Sequence, residues 1–213
     1  MTEKMNEIIL VAKREAVFNS EKEHFQGVVN ISTHPISIRK IMENIDKNIT
    51  TMRRGDAEED FTYKQPIPYA VIKQGDYYFG YERLQGAGET RLHGQISLGV
   101  GGHMNEIDGM QMDSFDNVLM ENLRRELEEE LYIDTDNGEA IELDTKVIGL
   151  INDDLNEVGR VHIGILAFIE LSNNAIVSVR ETEQLDGRWY SVEELKADYD
   201  RLETWSKFVV DAL

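Results

Sequence analysis

The stretch from Ser114 to Leu131 constrains this chain more than any other. Phe115, Leu119, Leu123, Leu127 and Leu131 recur at every fourth position. At roughly 100° per residue they draw one drifting apolar stripe along a helix. Ser114 suits the N-cap, and Asp116 places negative charge in the first turn, where the helix dipole favours it. The glutamates do not follow the usual amphipathic rule. With Glu126 set at about 0°, Glu130 falls at ~40° and Glu129 at ~300°, while Leu119 and Leu123 fall at ~20° and ~60°. Glu126 and Glu130 therefore share the azimuth of the leucines, Glu129 flanks them, and Glu121 and Glu128 face away. Carboxylates gathered at a core edge lose hydration and repel one another. A hard divalent cation, Mg²⁺ or Mn²⁺, offsets both costs because it prefers oxygen ligands. An acidic surface helix whose last two turns outrun the core accounts for the same glutamates. Arg125 fits either reading, pairing with Glu121 or Glu129.

The surroundings favour a ligand site. A short strand over 95–100 runs into Gly101-Gly102-His103. Paired glycines permit positive φ and let a backbone approach a ligand closely. Tyr69 to Lys73 and Tyr77 to Leu84 read as strands around a Gln74-Gly75-Asp76 turn. Further strands are expected over 7–18, 145–151, 160–171 and 175–179, with another ending at Trp189-Tyr190. Helices are expected over 36–48, from Ser191 (with Glu194 completing a capping box) and over 202–213. Residues 50–66 are polar, punctuated by Gly55 and Pro66, and read as a surface loop. Asp153-Asp154 reads as a turn and His162 as a strand histidine with satisfied polar atoms. Strands and helices mix without strict alternation, which predicts an α+β or layered αβα fold rather than a doubly wound sheet.

Composition narrows the function. The net charge of −19 repels long nucleic acids. The chain has no cysteine, which excludes disulfides, zinc thiolate sites and a cysteine nucleophile. No apolar run reaches the roughly 20 residues of a membrane helix, and the N-terminus lacks a secretory pattern. A cytoplasmic protein is the expectation.

Strand, glycine loop and glutamate helix together resemble the Nudix box, G-x5-E-x7-R-E-U-x-E-E-x-G-U, where U is aliphatic. Arg125-Glu126-Leu127-Glu128-Glu129-Glu130 matches the R-E-U-x-E-E core at each position, and Ile133 matches the final aliphatic residue. Gly102 looks like the opening glycine. Arg188 to Leu195 is similar to the closing strand and helix of many Nudix domains. Tyr81 to Leu84, Arg91 to Gly94 and Ile151 to Asp154 look like a branch of MutT-like phosphoesterases. The resemblance covers about residues 67–213, leaving 1–66 as an N-terminal extension or small lobe. Four departures stand out. Tyr132 occupies the late box glycine, Asn117 the first box glutamate, and Val100 a position where many members carry proline. Gly102 and Arg125 are 23 positions apart (125 − 102) against 14 in the pattern, which places an insertion within 104–114.

The resemblance implies a Nudix-like αβα sandwich with a mixed sheet. It also implies a metal-dependent hydrolase that cleaves the diphosphate linkage of a nucleoside diphosphate joined to another group. It makes Glu129 and Glu130 the principal ligands of Mg²⁺ or Mn²⁺, and Glu126 a third ligand or a base acting through water. Arg125 would orient the glutamates. Gly101 and Gly102 would shape the loop under the metal. Arg83, Tyr78 and Tyr81 share a strand that either lines a nucleotide pocket, with Arg83 binding substrate, or simply packs a sheet. His103 is a lesser candidate at the site, and Glu181 or Glu183 a lesser one for a remote base. The implied partner is a small nucleotide-like diphosphate, with no membrane, no long nucleic acid and pairing as a homodimer. The alternatives are a Nudix-fold nucleotide- or ligand-binding module without catalysis and an acidic helical interaction protein. An isopentenyl diphosphate isomerase-like enzyme is set aside because it needs a cysteine.

Overall fold

The computed structural model describes residues 3–84, 93–107, 115–135, 141 and 143–213. Ser114, Arg91, Leu92 and most of the expected insertion lie outside them. In chain order the elements begin with β1 (Ile8–Lys13), α1 (Arg14–Val17), β2 (Gly27–Asn30), α2 (Pro35–Asn48), β3 (Ile49–Arg53) and α3 (Arg54–Ala57). There follow β4 (Tyr63–Gln74), β5 (Tyr77–Arg83), β6 (Ile96–Ser97), β7 (Gly99–Gly101), α4 (Phe115–Glu130), β8 (Leu131–Thr135) and β9 (Asp144–Asn152). The last are α5 (Glu157–Val161), β10 (His162–Glu170), β11 (Ala175–Val179), β12 (Leu185–Tyr190), α6 (Val192–Ala197) and α7 (Thr204–Asp211). The fold is α+β, as expected. The chain forms two compact units, one of residues 1–68, 102–124 and 148–166, the other of 69–101, 125–147 and 167–213.

In the first unit β1 pairs antiparallel with β3, Ile8 opposite Arg53 and Ala12 opposite Ile49. The end of β1 then pairs with β4, Ala12 opposite Lys64. β2 pairs with β9, Gly27 opposite Asn152. Ile9, Val11 and Ala57 form a buried cluster with Met52 and Tyr63 against it. Helix α2 starts with Pro35 at its first turn, where the missing N–H costs nothing. It buries Ile38, Ile41 and Ile45 and leaves Ile36, in its first turn, exposed.

Two sequence expectations change here. The segment 50–66 is not a loop. β3 and the start of β4 fall within it, and polar residues hide both strands. β3 leaves Thr50 and Thr51 exposed, while β4 buries Lys64 and Gln65 completely. Asp154 is likewise more than a turn residue. It takes two hydrogen bonds from the Arg14 guanidinium, both 2.9 Å, and one from Lys64 Nζ at 3.0 Å. His24 Nε2 lies 2.7 Å from the same carboxylate. Lys64 Nζ also donates to the carbonyls of Gly159 and His162 at 3.0 and 3.1 Å. Burial lowers the Lys64 ammonium to about 8 even with Asp154 opposing it. The Arg14 and Lys64 hydrogen bonds outweigh the burial of Asp154 and hold its carboxyl well below the usual range.

In the second unit β5 pairs with β12 from Arg83–Leu185 to Tyr78–Tyr190. It turns back onto β4 through Gly75, whose φ of +59° suits a residue without a side chain. β7 pairs with β4, Tyr69 opposite Gly101 and Val71 opposite Gly99. A Cβ on Gly99 would sit 2.1 Å from Tyr69 Cζ, so close packing dictates glycine there. The Tyr69 hydroxyl reaches Ser206 Oγ at 3.1 Å, and Ser206 Oγ accepts the Leu98 N–H at 2.9 Å. β8 and β11 form a separate pair, Leu131 opposite Val179. α6 carries the expected capping box between Ser191 and Glu194.

Candidate active site

Helix α4 appears where the leucine spacing places it, and the wheel puts Glu126 on its buried face and Glu128 on its exposed one, although Glu129 is more exposed than Glu121. In its last turns Glu126 is only 8% exposed, while the Glu129 side chain is 58% exposed. Leu127 and Leu131 are buried alongside Glu126. Arg125 contacts two of these acids: Nη2 lies 2.8 Å from Glu126 Oε1, and Nη1 donates to Glu129 Oε1 at 3.2 Å. Arg124, one step round the helix, pairs with Glu121 instead.

Glu130 ends the helix against β5. The Tyr81 hydroxyl lies 3.2 Å from Glu130 Oε2 and 3.1 Å from the Gly99 carbonyl. Burial, and then the charge of Glu126, push the Glu130 carboxyl up to about 7. Burial, and then the charge of Glu130, raise the Tyr81 phenol well above its ordinary value, so it stays a donor. Arg83, two residues along β5 from Tyr81, donates from Nε to Glu203 Oε1 at 2.7 Å. Its guanidinium stacks 5.6 Å from the Tyr81 ring centre, and its charge favours the ionised form of Glu130. The second unit thus brings together Arg83, Arg125, Glu126, Glu129 and Glu130. Gly101 lies in the same unit on β7, whereas Gly102 belongs to the first.

The glycine pair works differently from the sequence argument. Among the described residues, the glycines with positive φ are Gly27, Gly75 and Gly94, so neither Gly101 nor Gly102 uses that freedom. The close approach is at Gly99. Tyr132 is explained by local structure. The chain passes directly from α4 into β8, with Tyr132 extended opposite Ser178, so no left-handed residue is needed to end the helix. Arg180 stacks 3.9 Å above the Tyr132 ring centre and donates to the Leu131 carbonyl at 2.9 Å. Tyr81 and Glu203 are the site residues that sequence reasoning underrated. Tyr81 was read as a sheet or pocket tyrosine, and the alternation that sets Tyr81 and Arg83 on one face was its only signal.

The donor set suits a hard cation. Three carboxylates offer oxygen alone, and burial, then the charge of Glu126, keep a proton on Glu130 up to about 7 in spite of Tyr81 and Arg83. Among the described residues, the ligand atoms gathered within 4.8 Å of one another belong to Glu58, His103 and His162 of the first unit. Arg125 is bonded to two of the α4 glutamates, Glu126 and Glu129.

No family model matches the chain. Protein YmaB of Bacillus subtilis (strain 168) is 54% identical over 212 residues, which is 99% of this chain and 98% of that protein. Among solved structures, Tm1382, a protein assigned to the Nudix hydrolases, superposes with a TM-score of 0.72 at 30% identity, covering 97% of each chain. The likeness to Tm1382 therefore takes in the N-terminal third as well as the glutamate helix.

Proposed function

The chain belongs to the Nudix hydrolase superfamily, and from that premise we propose that it hydrolyses the diphosphate linkage of a nucleoside diphosphate joined to another group, using Mg²⁺ or Mn²⁺. The observation that carries this reading is the placement of Glu126 and Glu130. Both sit on the buried stripe of α4, and burial with the charge of Glu126 keeps Glu130 protonated up to about 7. A protein without a cation or substrate to bind has little reason to bear that cost.

In this mechanism Glu126, Glu129 and Glu130 hold the ion. Bound there, Mg²⁺ or Mn²⁺ would polarise a phosphoryl oxygen and lower the pKa of a coordinated water. Arg125 aligns Glu126 and Glu129 through its two terminal nitrogens. The Tyr81 hydroxyl fixes the rotamer of Glu130. Arg83, anchored by Glu203, offers a guanidinium to an anionic substrate, and Gly101 and Gly102 line the loop that follows β7. In this reading residues 67–213 carry the hydrolase and 1–66 are its extension. Among the described residues no helix is long and apolar enough to cross a membrane.

The test is a panel of nucleoside triphosphates, ADP-ribose, nucleotide sugars and dinucleoside polyphosphates, incubated with the full chain and Mg²⁺ or Mn²⁺. Glu129→Gln is the control, and products are separated by chromatography. Cleavage by the wild type and not by the variant supports the proposal and identifies the leaving group. Tight nucleotide binding without cleavage would replace it with a binding module.

A further inference from the structure

We propose that the first unit carries a second metal site, built from Glu58, His103 and His162 and suited to a borderline divalent transition-metal ion such as Zn²⁺. The three residues come from separate segments: Glu58 follows α3, His103 follows β7 and His162 opens β10. All lie in the first unit, whereas Glu126, Glu129 and Glu130 lie in the second. The set shares no residue with the glutamate centre, and its two imidazoles suit a softer ion.

The geometry is that of ligands around one ion. His162 Nε2 lies 3.2 Å from His103 Nε2. Glu58 Oε1 lies 3.3 Å from His103 Nε2 and 3.9 Å from His162 Nε2. An ion bonded at about 2.1 Å to each ligand sets neighbouring ligand atoms about 3.0 Å apart at right angles and about 3.4 Å apart in a tetrahedron. Two of the separations fall in that range, and the third closes with a small rotation of the half-buried Glu58 carboxylate.

Proton positions lead to the same conclusion. His162 Nδ1 lies 2.6 Å from the Val158 carbonyl, which can only accept, so Nδ1 carries the proton and Nε2 presents a lone pair. Such a carbonyl contact fixes the tautomer of a metal-binding histidine. His103 Nε2 then faces three acceptors: His162 Nε2, Glu58 Oε1 and Gln65 Oε1, the last at 2.7 Å. One N–H can satisfy one of them, whereas a cation satisfies several at once. Gln65 is fully buried, and its Nε2 has no hydrogen-bond partner. An amide donor left unpaired beside this cluster is costly, and a water on the ion would take that hydrogen bond. Two imidazoles and one carboxylate form the ligand set of open zinc sites and of facial triads. Mg²⁺, which demands oxygen ligands, is a poor occupant.

The experiment uses the full chain stripped with a chelator and held in excess Mg²⁺, so that the glutamate centre is saturated. Zn²⁺ is titrated in competition with a chromophoric chelator. The wild type should bind Zn²⁺ stoichiometrically. His103→Gln and His162→Gln should each weaken binding at least roughly 100-fold, while Glu129→Gln leaves it unchanged. X-ray absorption on the Zn²⁺-loaded wild type, which needs no variant to fold, should show two imidazole ligands. No stoichiometric Zn²⁺ binding by the wild type, an oxygen-only ligand shell, or undiminished binding by a folded histidine variant would each overturn the proposal.

Discussion

Replacing Glu130 with glutamine keeps the shape of the side chain and its contact with Tyr81 while removing the charge. In metal-free protein the ordinary carboxyl value of 4.5 is displaced to about 7, first by burial and then by Glu126. A carboxyl raised on folding leaves the fold at full stability below about 4.5, and that stability is lost as pH rises through about 7. At about 1.4 kcal/mol per pH unit, a displacement of this size corresponds to roughly 3 kcal/mol. The Glu130 side chain is partly open to solvent, which brings the figure to about 2 kcal/mol. For a chain of this length, about 2 kcal/mol moves the melting temperature by roughly 4–8 °C. Thermal unfolding of wild type and Glu130→Gln should therefore agree near pH 4 and diverge as pH rises, the variant melting higher by roughly 4–8 °C at pH 8. Saturating Mg²⁺ at pH 8 should raise the wild type and close the gap, because the cation supplies what Glu130 lacks. A difference between the two proteins that stays constant from pH 4 to pH 8 would refute the reasoning.

Two further substitutions test the packing around the candidate sites. Asp154→Asn leaves the buried Lys64 ammonium without its counter-charge. Asp154 is 20% exposed, so the cost should lie near the lower end of the range for breaking a buried pair, about 3 kcal/mol by urea denaturation. Adding Lys64→Met should recover part of the loss, since the fully buried ammonium is then gone. Gly99→Ala places a methyl 2.1 Å from the Tyr69 ring. Trp205 packs edge-on against that ring, and the Tyr69 hydroxyl is tied to Ser206, so the ring has little room to yield. A loss of about 3 kcal/mol or more is expected in the same assay.

Short-range features were legible in the sequence. The four-residue spacing of leucines located α4 and put Glu126 on its buried face. The Gln74-Gly75-Asp76 turn and the Ser191–Glu194 capping box also follow from neighbours along the chain. What escaped depends on distant partners. β3 is a strand because β1 lies beside it, and its exposed threonines give no alternating pattern. The segment expected to be a strand over 7–18 turns helical at Arg14, whose guanidinium is bonded to Asp154, 140 positions away. Glu58 was passed over within a supposed loop, although it lies beside His103 and His162. Position 132 shows the reverse. The motif called for glycine there, but a helix that runs straight into a strand accepts tyrosine.

The most direct test of the central claim counts the ion on α4. Mn²⁺ binding, followed by electron paramagnetic resonance, should be compared in His162→Gln protein with and without Glu129→Gln and Glu130→Gln, so that the histidine cluster of the first unit contributes nothing. One tightly bound ion that weakens at least roughly 100-fold when both glutamates become glutamines is the predicted result. Mn²⁺ binding of equal strength in both proteins would contradict the assignment of these carboxylates as the metal centre.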